Sequence, residues 1–295
     1  MVVLYNVIHN MPEKVIGESM KQDEVLKMKE ICKNMRKDCL IMAKAAGKEG
    51  FHFGATMSLI EIIATLYFKT MNIKKNNLTD ETRDRLLLSK GHGVPALYAA
   101  LRQMGVIDEK QLETFKQDET FLYGHPSMNK ELGIEMSSGS LGQGLSFAVG
   151  NALALRRKNN LISKIFVILG DGECNEGSVW EAALTAAKYH LNNIIVIIDS
   201  NGLQYDGDTS TVLPMESMEE KWKSFGWSTV VIDGHDIYQC TKAFSMQTEK
   251  PLVVIANTIK GKGISFMENE ASWHHGVMTK KQEEQAWKEV TGDEL

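Results

Sequence analysis

The sequence predicts an α/β fold, a parallel sheet with helices on both faces. Three observations lead there. Short, continuous apolar runs recur at residues 86–88, 165–169, 194–199 and 252–256; helical patterns alternate with them; and glycine-rich or acidic turns fall where the runs end. Strands that are apolar on both sides and separated by helices belong to sheets covered on both faces.

Taken in order, residues 24–46 place Val25, Met28, Ile31, Met35, Ile41 and Met42 at amphipathic spacing with Lys and Glu between them. Cys32 and Cys39 share that apolar side and read as core. Residues 57–69 (MSLIEIIATLYFK) are apolar nearly all round, which predicts a helix buried on several sides. The run at 86–88 is a short strand that breaks at Gly91, and a helix restarts after Pro95. Gly139, Gly142 and Gly144 form a turn at the mouth of the next helix, where free backbone N–H groups would face an anion. Strand 165–169, helix 177–190, strand 194–199, strand 229–232, helix 236–247 and strand 252–256 follow. Met1 to Met11 reads as an N-terminal arm, and EEQAWKEV near the end as a helical tail. With 5 prolines and no low-complexity linker, residues 1–295 read as one domain.

Composition narrows the function. The 295 residues are 43% apolar, enough for a sizeable core. The 33 basic and 38 acidic residues give a net charge of -5 with no long block of one sign, which argues against nucleic-acid or membrane-surface binding. The four cysteines form no C-x-x-C pair, and no secretory or membrane-spanning segment is visible, so a cytoplasmic, reducing location is expected.

The chemistry gathers at two strand ends. Gly170-Asp171-Gly172 closes one run, and Asp199-Ser200-Asn201-Gly202 closes the next about thirty residues later. In an open parallel sheet, ligands collect at the carboxyl ends of strands. A carboxylate and an amide oxygen are hard ligands suited to Mg²⁺, which completes its shell with phosphate and water. Gly170 and Gly172 would let a diphosphate approach the backbone. Taken singly, Asp171 reads as a helix cap and Asn201 as a left-handed turn residue. The long spaced pattern favours the metal–diphosphate reading.

That pattern resembles the thiamine diphosphate-binding signature, and the residues around it, from about His52 to Gly276, resemble transketolase. HFGATMSLIEIIATLYF is similar to a G-H-x-G segment with His52 in the active-site channel. SKGHGVPALYAAL resembles a G-H-G segment that puts His92 near the diphosphate and the reacting centre, and YGHP carries His125. SSGSLGQGLSFAVGNAL resembles a G-P-L-G-Q-G loop with Ser140 in place of proline, so the resemblance implies cofactor contacts by Gly139, Ser140 and Leu141. KGKGISFMENEASWHHGV is similar to the segment supplying one more histidine, for which His275 is favoured over its neighbour His274. Asp171, Asn201 and the carbonyl of Leu203 are the implied metal ligands, for Mg²⁺ or another divalent cation such as Ca²⁺ or Mn²⁺. Glu176 matches an acidic position near a dimer interface.

The resemblance also implies what lies outside this chain. Single-chain transketolases continue into pyrimidine-binding and C-terminal domains, whereas this sequence stops at Leu295. It is thus expected to be the amino-terminal subunit of a split transketolase. A partner chain would carry the catalytic glutamate, two such pairs would form an α₂β₂ assembly, and the substrates would be sugar phosphates. Alternatives are another thiamine enzyme, a transketolase specialised for an unusual sugar, or a non-catalytic scaffold subunit.

Overall fold

A computed structural model describes residues 22–294, so the arm expected at Met1 to Met11 lies outside the described residues. The first element, α1 (Gln22–Ala46), buries Met28, Cys32, Met35, Cys39 and Met42 along one stripe. After it come α2 (Phe53–Met57), α3 (Ile60–Thr65), β1 (Arg85–Leu88), α4 (Val94–Gln103), α5 (Gly144–Arg157), β2 (Ile165–Gly170), α6 (Gly177–Lys188) and β3 (Ile194–Ser200). A small hairpin of β4 (Leu203–Gln204) and β5 (Gly207–Asp208) leads through α7 (Thr209–Val212) and α8 (Met218–Ser224) to β6 (Ser228–Asp233). Then come α9 (Ile237–Phe244), β7 (Leu252–Asn257) and α10 (Lys280–Thr291); a further one-turn helix, Glu109–Leu112, lies between α4 and α5.

The main sheet has five parallel strands in the order β1-β2-β3-β7-β6. Its central strands are buried along almost their whole length, because helices cover both faces. Successive side chains point to opposite sides. Phe166, Ile168, Ile195, Ile197 and Val254 pack into one core with α1, α3 and α4. Val167, Leu169, Val196, Ile198 and Ile255 pack into the other with α5 and α6. The edge strand β6 is buried only at alternate positions.

Two expected helices differ in detail. The apolar pattern at 57–69 is not one helix: the backbone tightens at Ser58–Leu59, where Leu59 N–H bonds Thr56 carbonyl at 3.2 Å, and it ends in a π-turn over Leu66–Thr70. That tightening brings the buried Ser58 hydroxyl to within 2.6 Å of Asp199 Oδ2. The helix expected to reach 190 stops at Lys188, and His190 takes a left-handed φ of 49° in the turn toward β3. All four cysteines are buried and unpaired. Among the described residues, no helix is long and apolar enough to cross a membrane.

Candidate active site

Parallel pairing decides where the polar residues meet. Gly170 at the end of β2 pairs with Asp199 on β3, and Asp199 pairs in turn with Ala256 on β7. The two strand ends therefore lie side by side, and Asp171 joins them. Its Oδ1 accepts the Gly172 N–H at 2.8 Å and its Oδ2 accepts the Gly202 N–H at 2.7 Å. Asp171 thus caps its own turn, as a lone aspartate there would, and also reaches the loop that carries Asn201. Its side chain is 8% exposed, and burial followed by the nearby Asp199 charge pushes its carboxyl pKa up.

Beneath this junction lies Asp199, fully buried. Burial alone would raise its pKa, but the ion-paired Lys90 ammonium and hydroxyl donors from Ser58 and Thr258 hold it below the ordinary carboxylate range. Asp199 Oδ2 also accepts from Asn201 Nδ2 at 3.2 Å, which orients that amide. Asn201 Oδ1 accepts the Leu203 N–H at 3.1 Å.

Above the junction opens a cavity of about 510 Å³, lined by the GDG and SNG turns and by His52, His92, His125 and His274. Larger hollows of about 690 and 790 Å³ lie elsewhere, but neither takes in the ends of β2 and β3. The His52 ring is the hub, with centroids of His92, His125, His274 and His275 at 5.6, 5.5, 5.8 and 4.5 Å. Burial, then the neighbouring rings, lowers the His52 pKa to about 3; burial, then Lys260, lowers that of His274 to about 4. His92 is held well below its usual value, and His125 and His275 are also lowered, by burial first in each case. The cluster is neutral at neutral pH.

The structure separates the two adjacent histidines. His274 lines the cavity, whereas His275, favoured on sequence, is exposed and packs on His52 from outside that lining. Gly139, Leu141 and Glu176 reach the lining; Ser140 is exposed and does not. The glycine-rich turn differs from expectation in another way. Its Gly142 and Gly144 amides are not free for an anion: Gly142 N–H donates to Glu173 Oε1 at 2.8 Å and Gly144 N–H to Ser89 Oγ at 3.0 Å. A buried carboxylate needs donors, and these are the ones within reach.

Four charged residues to which the sequence reading assigns no role stand at the site: Lys90, Glu173, Asp199 and Lys260. Lys260 is 2% exposed and donates through Nζ to the Leu203 carbonyl at 2.8 Å, with His274 Nδ1 at 3.3 Å. Burial and then the Lys90 charge lower its pKa to about 8. The ammonium has no lone pair, so His274 Nδ1 accepts and the ring proton of neutral His274 sits on Nε2.

Among the described residues, no group of three or more His, Cys, Asp or Glu side chains could hold a metal ion. Asp171, the Asn201 amide and the Leu203 carbonyl offer hard oxygens with a single carboxylate; each already accepts hydrogen bonds, the Leu203 carbonyl from Lys260, and each keeps a lone pair beyond them. Such a set fits a cation that draws the rest of its shell from a bound diphosphate and water.

Comparison with known proteins gives this cleft a family. Residues 27–294 match the family described as "Transketolase, thiamine diphosphate binding domain". The chain is 42% identical over 251 residues to the 6-deoxy-6-sulfo-D-fructose transketolase subunit of Clostridium sp. (strain MSTE9), covering 84% of this chain and 90% of that one. It is also 42% identical over 240 residues to an apulose-4-phosphate transketolase subunit of Actinobacillus succinogenes, covering 81% and 87%. The crystal structure of transketolase from Campylobacter jejuni superposes with a TM-score of 0.80 at 29% identity, over 89% of this chain but only 42% of that one. The sheet, the joined strand ends and these matches lead to one conclusion: the chain belongs to the transketolase family, whose thiamine diphosphate-binding domain it carries.

Proposed function

We propose that this chain is the amino-terminal subunit of a two-chain transketolase and binds thiamine diphosphate with Mg²⁺. Together with a second chain it transfers a two-carbon ketol unit from a ketose phosphate to an aldose phosphate. The observation that carries this reading is the Asp171 tie between the two strand ends, beneath a cavity walled by neutral histidines.

Asp171, Asn201 and the Leu203 carbonyl would hold the cation and, through it, the diphosphate; the Gly170 and Gly172 amides already donate to Glu173 and Asp171. Thiamine diphosphate, when bound, supplies the carbon that accepts the two-carbon fragment and passes it on. The surrounding residues bind and orient the sugar and move its protons. His52, His92 and His125, uncharged in this cluster, can each give or take a hydrogen bond at a sugar hydroxyl or carbonyl oxygen. His274 donates from Nε2, because Lys260 occupies Nδ1.

The chain spans about two fifths of the solved transketolase it matches. Two relatives are named as subunits, which supports a partner chain; on this proposal that partner carries the glutamate and the pyrimidine-binding domain, and two such pairs make an α₂β₂ assembly. The relatives' names also favour a specialised sugar over a general pentose or hexose phosphate: one names 6-deoxy-6-sulfo-D-fructose and one apulose-4-phosphate. Titrating the purified chain with thiamine diphosphate, with and without Mg²⁺, tests the core of the reading. Saturable binding that a chelator abolishes is expected; metal-independent binding, or none, contradicts it.

A further inference from the structure

We propose that Glu173 is a positioning residue that sets the glycine-rich loop 139–144 against the end of β2 before any cofactor arrives. This inference rests on the reading of the cleft as a thiamine diphosphate seat, and it concerns how that seat is held open. Glu173 lies in the turn Gly172–Asn175 directly after Asp171 and is 2% exposed. It contributes to the cavity lining, yet its carboxylate is turned to the protein. Oε1 accepts the Gly142 N–H at 2.8 Å and the Ser89 hydroxyl, and Oε2 accepts the Gly170 N–H at 3.1 Å. Ser89 Oγ accepts the Gly144 N–H at 3.0 Å, which extends the network by one more amide.

One side chain therefore joins three segments far apart in sequence, with separations of 31 residues to Gly142 and 84 to Ser89. The fit around it is close. A Cβ at Gly144 would fall 2.4 Å from the Ser89 side chain, and one at Gly142 would fall 2.8 Å from Glu176 Cβ. Gly142 has a left-handed φ of 80°, which favours glycine, and its carbonyl accepts from Ser178 Oγ at 2.8 Å. Both polar groups of that residue are thus fixed by the segment that follows β2.

A carboxylate side chain fits this position: three donors converge on its two oxygens, and both can accept. In Glu173→Gln, an amide NH₂ would face either the Gly170 N–H or the Gly142 and Ser89 donors. The loop amides that resemble an anion cradle are therefore occupied from within the chain.

The test is amide hydrogen exchange on the full, cofactor-free chain, with cofactor titration as a second readout. The wild-type segment 139–144 is expected to be protected. Glu173→Gln should exchange there about 10–100-fold faster, as loss of hydrogen bonds to a charged group implies, while β2 and β3 keep their protection. Ser89→Ala, which removes one arm only, should give a smaller increase at the same place and serves if Glu173→Gln does not fold. Thiamine diphosphate affinity with Mg²⁺ should fall about 10–100-fold in Glu173→Gln, as for other residues that orient a ligand shell. A loop that exchanges freely in the wild type, unchanged exchange in both variants, or equal loss of protection in β2 and β3 overturns the proposal. Wild-type protein that shows the expected exchange pattern but does not bind thiamine diphosphate would leave the loop device standing and remove the cofactor reading instead.

Discussion

The two walls of the cleft are built differently. On the floor, at the ends of β2 and β3, three acidic groups are buried and tied: Asp171 holds two amides, Glu173 two amides and a hydroxyl, and Asp199 a lysine, two hydroxyls and an amide. On the rim, five histidines meet mainly each other's rings, carry depressed pKa values, and stand on loops and short 3-10 turns. Buried carboxyl groups with full hydrogen bonding suit a ligand that stays, such as a metal-bound diphosphate. Neutral rings, each able to give or take a hydrogen bond, suit a sugar that enters, exchanges protons and leaves. On the proposed reading, variants of the floor should lose stability or cofactor, and variants of the rim should lose turnover.

The largest effect belongs beneath the floor. Lys90→Met strands the Asp199 carboxylate without its counter-charge, and removal of one partner of a buried pair costs about 3–5 kcal/mol. Urea unfolding of the two proteins measures it, and a loss within error would mean that hydroxyl donors alone satisfy Asp199. Next comes Asp171→Ala, which removes the only carboxylate of the ligand set and frees the Gly172 and Gly202 amides. Thiamine diphosphate affinity in Mg²⁺ should fall about 100-fold, at the upper end for disrupted metal sites. Unchanged activity of the assembled complex with this variant would instead support a scaffold subunit.

The rim should behave otherwise. His274→Ala is expected to lower turnover about 100-fold with little change in cofactor affinity, whereas His275→Ala should change turnover only a few-fold. Steady-state kinetics with the partner present separates the two, and the reverse order would return His275 to the cleft. The smallest effect is in pH. The unfolded chain protonates its histidines near pH 6.5, but His52 resists until about pH 3 when folded. The unfolded state thus binds more protons in that window, and stability falls as pH drops from 6.5. The His52 contribution is at most about 1.4 kcal/mol per pH unit. Melting temperatures from pH 7 to pH 5 should drop less in His52→Gln than in the wild type.

Much of the floor was legible in the sequence, and the reason is physical. Strands buried on both faces must be continuously apolar, so a polar residue closing such a run, as Asp171 and Asn201 do, marks a strand end. Parallel register then brings neighbouring ends together. What sequence did not reveal depends on long-range pairing. Nothing local to SKGHG tells that Lys90 meets Asp199, 109 residues away, and nothing in GDGECNEG separates Glu173, turned inward, from the exposed Glu176. The single helix expected at 57–69 failed for the same reason, since the Ser58 turn is drawn to Asp199 on a distant strand. Adjacent His274 and His275 could not be ranked because successive residues in an irregular loop point different ways, and only the packing of Lys260 shows which one faces the cavity.

The claim that joins both walls is that this chain holds the cofactor and another chain completes the site. Its most direct test is a two-carbon transfer assay on the purified chain alone, on a separately encoded chain with a glutamate-bearing pyrimidine domain alone, and on the two mixed with thiamine diphosphate and Mg²⁺. Activity only in the mixture, abolished by Asp171→Ala, is the predicted result. Robust transfer by this chain alone would contradict it.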